Sequence, residues 1–379
     1  MEKYLKREIS DAILRAKEWF KVIVVTGPRQ VGKTTLCRNL FNDFKYFNLE
    51  NISIKSAIKD DPVAFMDECG DKVVIDEVQN YPEILSYIQV VVDEQPERKF
   101  VLTGSNNFSL LENVTQSLAG RAALFTLLPF SFRELGDYPA ETDTDTILTN
   151  GFYPAVLCNH TPVDIFYPNY YSTYIERDLH KILNLRNIDA FNTFVRLCAN
   201  RIGSELNMAS IATTAGVSGP TIKEWLSVLK ASYVAFTLPP FFANLDKRLT
   251  KAPKLYFYDT GVACMLLGIE TPGQLLRHPM RGALFENVAV LELLKSRYNK
   301  GKRENLMYYR ENSGKEVDIL QQEALGLNLY EVKASKTYSS GFRTNMNDLA
   351  KLLGDQVLSQ TVVYDGQPLP PTLLNIRNI

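Results

Sequence analysis

Cysteine is scarce and unpatterned. There are five in 379 residues, at positions 37, 69, 158, 198 and 264, and no two form a C-x-x-C pair. With only three histidines they offer no zinc framework, and an odd, scattered set of thiols fits a reducing compartment rather than a disulfide scaffold. An excess of one charge is missing too. Lys plus Arg number 42 and Asp plus Glu 43, so no global field announces a nucleic-acid partner, and any such surface must be a local patch. No apolar run approaches the ~20 residues of a membrane span, and Met1 to Phe20 is charged and interrupted, unlike a signal peptide. These absences predict a soluble, cytoplasmic chain with no membrane partner. An apolar content of 45% supports real hydrophobic cores, and the length calls for two or three domains.

The chain is organised around one stretch. A β-branched apolar run, Val22 to Thr26, reads as a fully buried strand. It ends at Gly27, and Gly27 to Thr34 spells G-x-x-x-x-G-K-T, the phosphate-binding loop. Gly27 and Gly32 let the backbone curl so that its N–H groups face phosphate oxygens. Pro28, Arg29, Gln30 and Val31 complete the cradle between them. Lys33 supplies a positive charge for the β- and γ-phosphates of ATP, and the Thr34 hydroxyl is placed to ligate Mg²⁺. Thr35 opens a helix, to Phe41, whose N-terminus faces the anion. A chance glycine turn is the plainer alternative, but the motif stands between a strand and a helix, as its chemistry requires.

Such a loop needs an acidic partner at the tip of another buried strand, and Lys72 to Glu77 provides it. Asp76 is the expected Mg²⁺ holder, through water, and Glu77 the base that polarises the water attacking the γ-phosphate. ATP hydrolysis follows as the expected activity.

Further strands are expected at Tyr46 to Leu49, Phe100 to Thr103 and Ala122 to Leu128, alternating with helices over 2–19, from Pro62 and over Ile84 to Val92. That alternation predicts a three-layer α/β core with a parallel sheet over 1–140. Ser105 and Asn106, ending a strand beside the nucleotide crevice, are candidates to sense the γ-phosphate; a simple turn is the alternative. Arg121 can act as an arginine finger, within the chain or across a homo-oligomer boundary, or be a plain surface arginine. An acidic, Gly- and Pro-containing loop near Leu135 to Asp145 leads to an aromatic-rich helical lid, 141–190. Over 191–258, helices at Phe191 to Asn200, Met208 to Thr214 and Pro220 to Lys230, with a turn at Gly216 to Ser218, have helix-turn-helix spacing. Tyr233 to Leu238 and Lys254 to Tyr258 can pair as a wing. Lys223, Lys247, Arg248 and Lys251 are then phosphate-contact candidates on DNA; a packing module with the same fold is the alternative.

The last third, 259–379, carries a second constellation. Phe285 to Leu294 is helical by spacing, and Met307 to Arg310, Glu316 to Leu320 and Leu329 to Ala334 are strands. Glu331 and Lys333, two apart on a strand, share a face. Asp318 lies on the neighbouring strand, and Glu286 can approach from the helix. Carboxylates beside a lysine suit a Mg²⁺-dependent phosphodiesterase in which Asp318 and Glu331 hold the metal and the lysine steadies developing charge. A carboxylate–lysine ladder on a half-exposed strand is the alternative. Lys295, Arg297, Lys300, Lys302, Arg303 and Arg310 make the surrounding stretch the most basic in the chain, as a DNA or RNA substrate would favour.

Taken together these motifs resemble a family: the bacterial and archaeal AAA+ superfamily ATPases that join an AAA-type P-loop core to a C-terminal domain of unknown function of the DUF4143 type. The matching stretches are Thr26 to Thr35, Ile75 to Gln79, Leu102 to Ser105, Leu118 to Arg121, Pro129 to Glu134, Lys254 to Gly261, Gly282 to Asn287, Tyr309 to Arg310, Glu316 to Asp318 and Glu331 to Lys333. The resemblance implies a winged-helix element in the middle and a restriction-endonuclease-like fold at the end, whose catalytic pattern Glu286, Asp318, Glu331 and Lys333 match. It also implies a second sensor arginine, for which only Arg121 or Arg177 stands available. A nucleotide-driven switch or scaffold whose terminal domains bind protein is the competing reading.

Overall fold

The computed structural model describes residues 4–105, 117–136, 142–176, 187–241, 252–311 and 313–379. Asn106, Arg177, Lys247, Arg248 and Lys251 lie outside the described residues.

Strands β1 (Val22–Thr26), β2 (Lys45–Asn48), β3 (Lys72–Asp76), β4 (Lys99–Gly104) and β5 (Ala122–Thr126) form one sheet. Its order is β2-β3-β4-β1-β5, with every neighbouring pair parallel. The β1 side chains alternate between two cores, as a strand buried on both faces must. Ile23 and Val25 pack with Ile9, Ile13, Leu36 and Cys37, whereas Val22 and Val24 pack with Ile58, Phe65, Ile84 and Ile88. The helices Ile9–Lys17 and Lys33–Leu40 therefore cover one face. Ile52–Asp60, Pro62–Cys69 and Ile84–Glu94 cover the other. The expected three-layer parallel core is present.

The middle of the chain is helical. Thr144–Asn150 leads to Pro154–Leu157 and Val163–Tyr170, which pack through the rings of Tyr153, Phe166 and Tyr170. Then come Ile188–Ala199, Met208–Ala215 and Gly219–Ala231, the last capped by Ser218. An antiparallel hairpin follows, β6 (Ala235–Leu238) with β7 (Lys254–Phe257). The C-terminal third sets the long helix Arg281–Asn299 against a second five-stranded sheet. Its strands are β8 (Leu306–Arg310), β9 (Glu316–Glu323), β10 (Gly326–Lys333), β11 (Val357–Tyr364) and β12 (Leu373–Asn375). They lie in the order β12-β11-β10-β9-β8. The pairs β8–β9 and β9–β10 are antiparallel, and β10–β11 and β11–β12 parallel. Neither β11, β12 nor the helix Thr344–Leu353 is signalled by the motifs.

Buried polar contacts fix how these parts meet. Glu134 caps its own short helix through Ser131 and receives Arg7 Nε at 2.9 Å. The same guanidinium donates to the carbonyls of Val31 in the phosphate loop (2.9 Å) and Leu128 (2.6 Å) and lies 4.6 Å from the Phe130 ring centroid. From the other side, Glu292 of the long helix accepts the Phe132 N–H at 2.9 Å, and Lys295 donates to the Phe130 carbonyl at 2.7 Å. The segment Pro129 to Glu134 is thus a junction between the N-terminal segment, the phosphate loop and the C-terminal helix. A second junction joins the two later motifs: Asn287 both accepts from Phe257 N–H and donates to Phe257 C=O, each at 2.8 Å.

The side chains of Arg7 and Glu134 are 5% and 1% exposed, so removing one charge strands the other. Arg7→Met is expected to unfold at lower urea, with a loss of about 3–5 kcal/mol. A midpoint equal to wild type would show that the pair does not hold the junction.

Candidate functional site

The strand order places β4 between the phosphate-loop strand and the Asp76 strand, so the tips of β1, β4 and β3 line one crevice. Gly27 sits there with φ +146°, and a Cβ on it would lie 2.0 Å from the Leu127 carbonyl oxygen. Only glycine fits this close approach. Gly32, at φ +92°, is the N-cap of the helix Lys33–Leu40, so the helix begins two residues earlier than expected. Its free N–H groups face the loop, the arrangement that favours an anion. Pro28 and Val31 are buried, Gln30 adopts φ +62°, and Thr35 lies on the exposed side of the first turn. Arg29 rests 5.1 Å from the Tyr174 ring centroid, bringing the helical middle segment to the rim of the loop.

Lys33 is buried and donates to the carbonyls of Gly27 (3.1 Å) and Pro28 (2.7 Å). Burial pulls its pKa down to about 8, against the opposing pull of Glu77 and Asp76. Thr34 donates to Asp76 Oδ2 at 2.6 Å, so the two residues expected to share a metal touch directly. Tyr46 donates to the same oxygen at 2.5 Å, and Thr103 donates to Asp76 Oδ1. Glu77, one residue on, has φ +56°, a conformation that costs a non-glycine residue of order 1 kcal/mol or more. Its carboxylate accepts from Gln79 and lies 3.4 Å from Ser105 Oγ. Tyr46 and Gln79 were not singled out from the sequence. Tyr46 begins an expected strand, and only the β2–β3 register, Asn48 opposite Asp76, brings it into reach.

Arg121 is held elsewhere. Its guanidinium makes a two-pronged pair with Asp93, both contacts 2.6 Å. It precedes Ala122, which pairs with Val22, whereas Thr26 at the loop end pairs with Thr126. Arg121 therefore stands at the opposite end of the sheet from its own phosphate loop, about five residues or ~16 Å of strand away. The within-chain finger is ruled out by this register.

The second constellation does gather. Lys333 Nζ lies 2.6 Å from Glu331 Oε1 and 3.8 Å from Asp318 Oδ2. Asp318 Oδ2 also accepts the Val332 N–H at 2.8 Å. Glu286 arrives from the long helix, but its Oε1 is engaged by Lys254 at 3.0 Å and by the Tyr256 hydroxyl at 2.5 Å. Lys254 also pairs with Glu316. Burial first, and the Asp318 charge second, raise the pKa of both Glu286 and Glu331. In the sequence Lys254 and Tyr256 stand in a wing strand and in one of the stretches that carry the resemblance; nothing in their spacing predicts that β7 packs against the acids. Among the described residues, no three Asp, Glu, His or Cys side chains are grouped to hold a metal ion by themselves. Glu331 Oε2 is nevertheless buried with no hydrogen-bond partner, an orphan that an oxygen-seeking cation would satisfy.

The basic stretch is partly consumed. Lys295 is 1% exposed and paired with Glu292 at 2.8 Å, because it serves the junction at Phe130. Arg297 lies 3.7 Å from Glu323, and Arg310 lies 3.2 Å from Glu316. Lys302 and Arg303 remain on the surface.

Comparison with known proteins matches an AAA domain to residues 20–136, a domain of unknown function (DUF8612) to 141–273 and a domain of unknown function (DUF4143) to 281–375. Uncharacterized proteins of Mycobacterium tuberculosis and Mycobacterium bovis are each 28% identical over 382 residues, covering 98% of this chain and 83% of their own. Among solved structures, the Walker-type ATPase PABY2304 of Pyrococcus abyssi covers 70% of this chain and 96% of its own at 16% identity, with a TM-score of 0.49. AMPPCP-bound DnaA from Aquifex aeolicus covers 59% and 86% at 13% identity, with a TM-score of 0.31. No described helix is long and apolar enough to cross a membrane. The chain thus joins an AAA domain, which holds the phosphate loop and the five-stranded parallel sheet, to a C-terminal DUF4143 domain.

Proposed function

We propose that the protein binds ATP with Mg²⁺ and hydrolyses it at the tips of β1, β3 and β4. The observation that carries this is the 2.6 Å contact between Thr34 and Asp76 with Glu77 beside it. A hydroxyl and a carboxylate are the oxygen donors Mg²⁺ prefers, and these two residues would hold it. The bound ion supplies charge neutralisation on the β- and γ-phosphates. Lys33 exchanges its two loop carbonyls for phosphate oxygens, the N–H groups of the loop between Gly27 and Thr35, Pro28 excepted, cradle the phosphates, and Glu77, freed from Gln79, orients the attacking water. Ser105 stands where it can meet the γ-phosphate.

Lys33→Ala is expected to lose nucleotide binding while keeping its fold, because the lysine contacts loop carbonyls rather than core. Glu77→Gln is expected to bind ATP and lose turnover by roughly 10²-fold or more. Fluorescent-nucleotide titration and phosphate release separate the two effects; wild-type turnover in Glu77→Gln would remove Glu77 from the mechanism.

Arg121 has its place across a subunit boundary in this reading, leaving Asp93 to reach a neighbour's γ-phosphate. Mixing Arg121→Ala chains with Lys33→Ala chains should then restore part of the hydrolysis that each lacks alone. Mixed oligomers that stay inactive would exclude the arrangement.

For the C-terminal third we propose a restriction-endonuclease-like fold that cleaves phosphodiester bonds of nucleic acid, presented by a winged-helix element formed from Met208–Ala215, Gly219–Ala231 and the β6–β7 hairpin. The support is the acid–lysine set and the orphaned Glu331 oxygen. Asp318 and Glu331 would hold a divalent cation, whose chemistry is to activate water and neutralise the scissile phosphate. Lys333 is placed to steady the developing charge. A second reading, a nucleotide-driven scaffold, draws on one observation: β7 is spent on docking, since Lys254 and Tyr256 face Glu286 rather than a groove of DNA. DNA or RNA should be nicked with Mg²⁺ or Mn²⁺, and Asp318→Ala and Lys333→Ala should each abolish nicking while ATP hydrolysis persists. Absence of cleavage on single strands, duplexes and branched junctions in both metals would favour the scaffold.

A further inference from the structure

We propose that the C-terminal acid cluster takes one divalent cation rather than two, because Lys254, delivered by the hairpin, occupies the second cation's place. This rests on the metal-dependent reading of that cluster given above. Four carboxylates lie around two lysines there, Glu286 and Glu316 on Lys254 and Asp318 and Glu331 on Lys333. The Lys254 side chain is 1% exposed and bonds Glu286 at 3.0 Å while also pairing with Glu316. The Tyr256 hydroxyl shares Glu286 Oε1, and Arg310 lies 3.2 Å from Glu316 Oε2. Two of the four acids are therefore neutralised by the protein's own cations. An ammonium at hydrogen-bond distance from a carboxylate repels any dication approaching the same oxygens.

The other two acids differ. Lys333 is the cation beside Asp318 and Glu331, and its side chain is 37% exposed, so it borders solvent and is not enclosed as Lys254 is. Glu331 is 4% exposed, and its Oε2 is buried without a hydrogen-bond partner. A cation between Asp318 and Glu331 satisfies that orphan; a second, between Asp318 and Glu286, meets Lys254. The lysine comes from β7, within the span matched as 141–273, whereas all four acids follow residue 280. The cluster is then shared by two parts of the chain, and Lys254 is its positioning residue. It fixes Glu286 and sets how many metals enter.

The test is a Mn²⁺ titration of the full, nucleotide-free chain, with free Mn²⁺ read by electron paramagnetic resonance. The sites counted are those that vanish with Asp318→Asn, which leaves out any Mn²⁺ at Asp76. One site is expected in wild type and two in Lys254→Met, returning to one in Lys254→Met with Glu286→Gln. Two sites in wild type, or one in Lys254→Met, would overturn the proposal. No site in wild type would overturn both it and the metal-dependent reading, so the two failures are distinct. Lys254→Met leaves two half-buried acids facing each other and can fail to fold. Lys254→Met with Glu316→Gln removes one of those charges, and the count of two must hold there as well.

Discussion

A carboxylate taken out of water must find a cation or a donor, and that constraint organises this chain more than any one core contact. Glu134 finds Arg7, Glu292 finds Lys295 and Glu286 finds Lys254. Each pair joins segments distant in sequence or anchors one at such a junction. The first two meet at Pro129 to Glu134, so the phosphate loop, through the Val31 carbonyl, and the long C-terminal helix lean on the same six residues. Motifs that look unrelated along the sequence are thus contact partners. Lys254 to Gly261 and Gly282 to Asn287 meet through Glu286 and Asn287, and Asp259 caps the next helix through Gly261 N–H while accepting the Phe152 N–H.

The nucleotide crevice obeys the same rule with hydroxyls in place of cations. Asp76 is 1% exposed and is served by Thr34, Tyr46 and Thr103. Those three donors are neutral hydroxyls, which is what the Mg²⁺ role proposed for Asp76 would need. Glu77 carries backbone strain at the next position, and its carboxylate rests on Gln79. Strain at that residue and a cradle too tight for any Cβ at Gly27 both fall where a phosphate chain would sit, and neither improves the empty fold.

Much of this was legible in the sequence because it is local. The phosphate loop, the Asp76–Glu77 pair, the alternation of strands and helices, and the shared face of Glu331 and Lys333 all follow from spacing within a few residues. What sequence does not encode locally is register between distant strands. That register puts Tyr46 against Asp76, sends Arg121 to the far end of the sheet, and brings Lys254 onto Glu286. Lys295 shows the same limit in charge: it reads as part of a basic surface, yet the junction at Phe130 buries it. Strands β11 and β12 carry no motif, and they complete the sheet by pairing with β10 rather than by any signal of their own.

The central claim is that the crevice at the tips of β1, β3 and β4 is a metal-dependent ATP-hydrolysing site. The most direct measurement is phosphate release from ATP by the purified wild-type chain, once with Mg²⁺ and once with excess EDTA. The account predicts sustained turnover with Mg²⁺ and none above background with EDTA. Turnover that survives EDTA, or no turnover with Mg²⁺ across a range of protein concentrations, would contradict it.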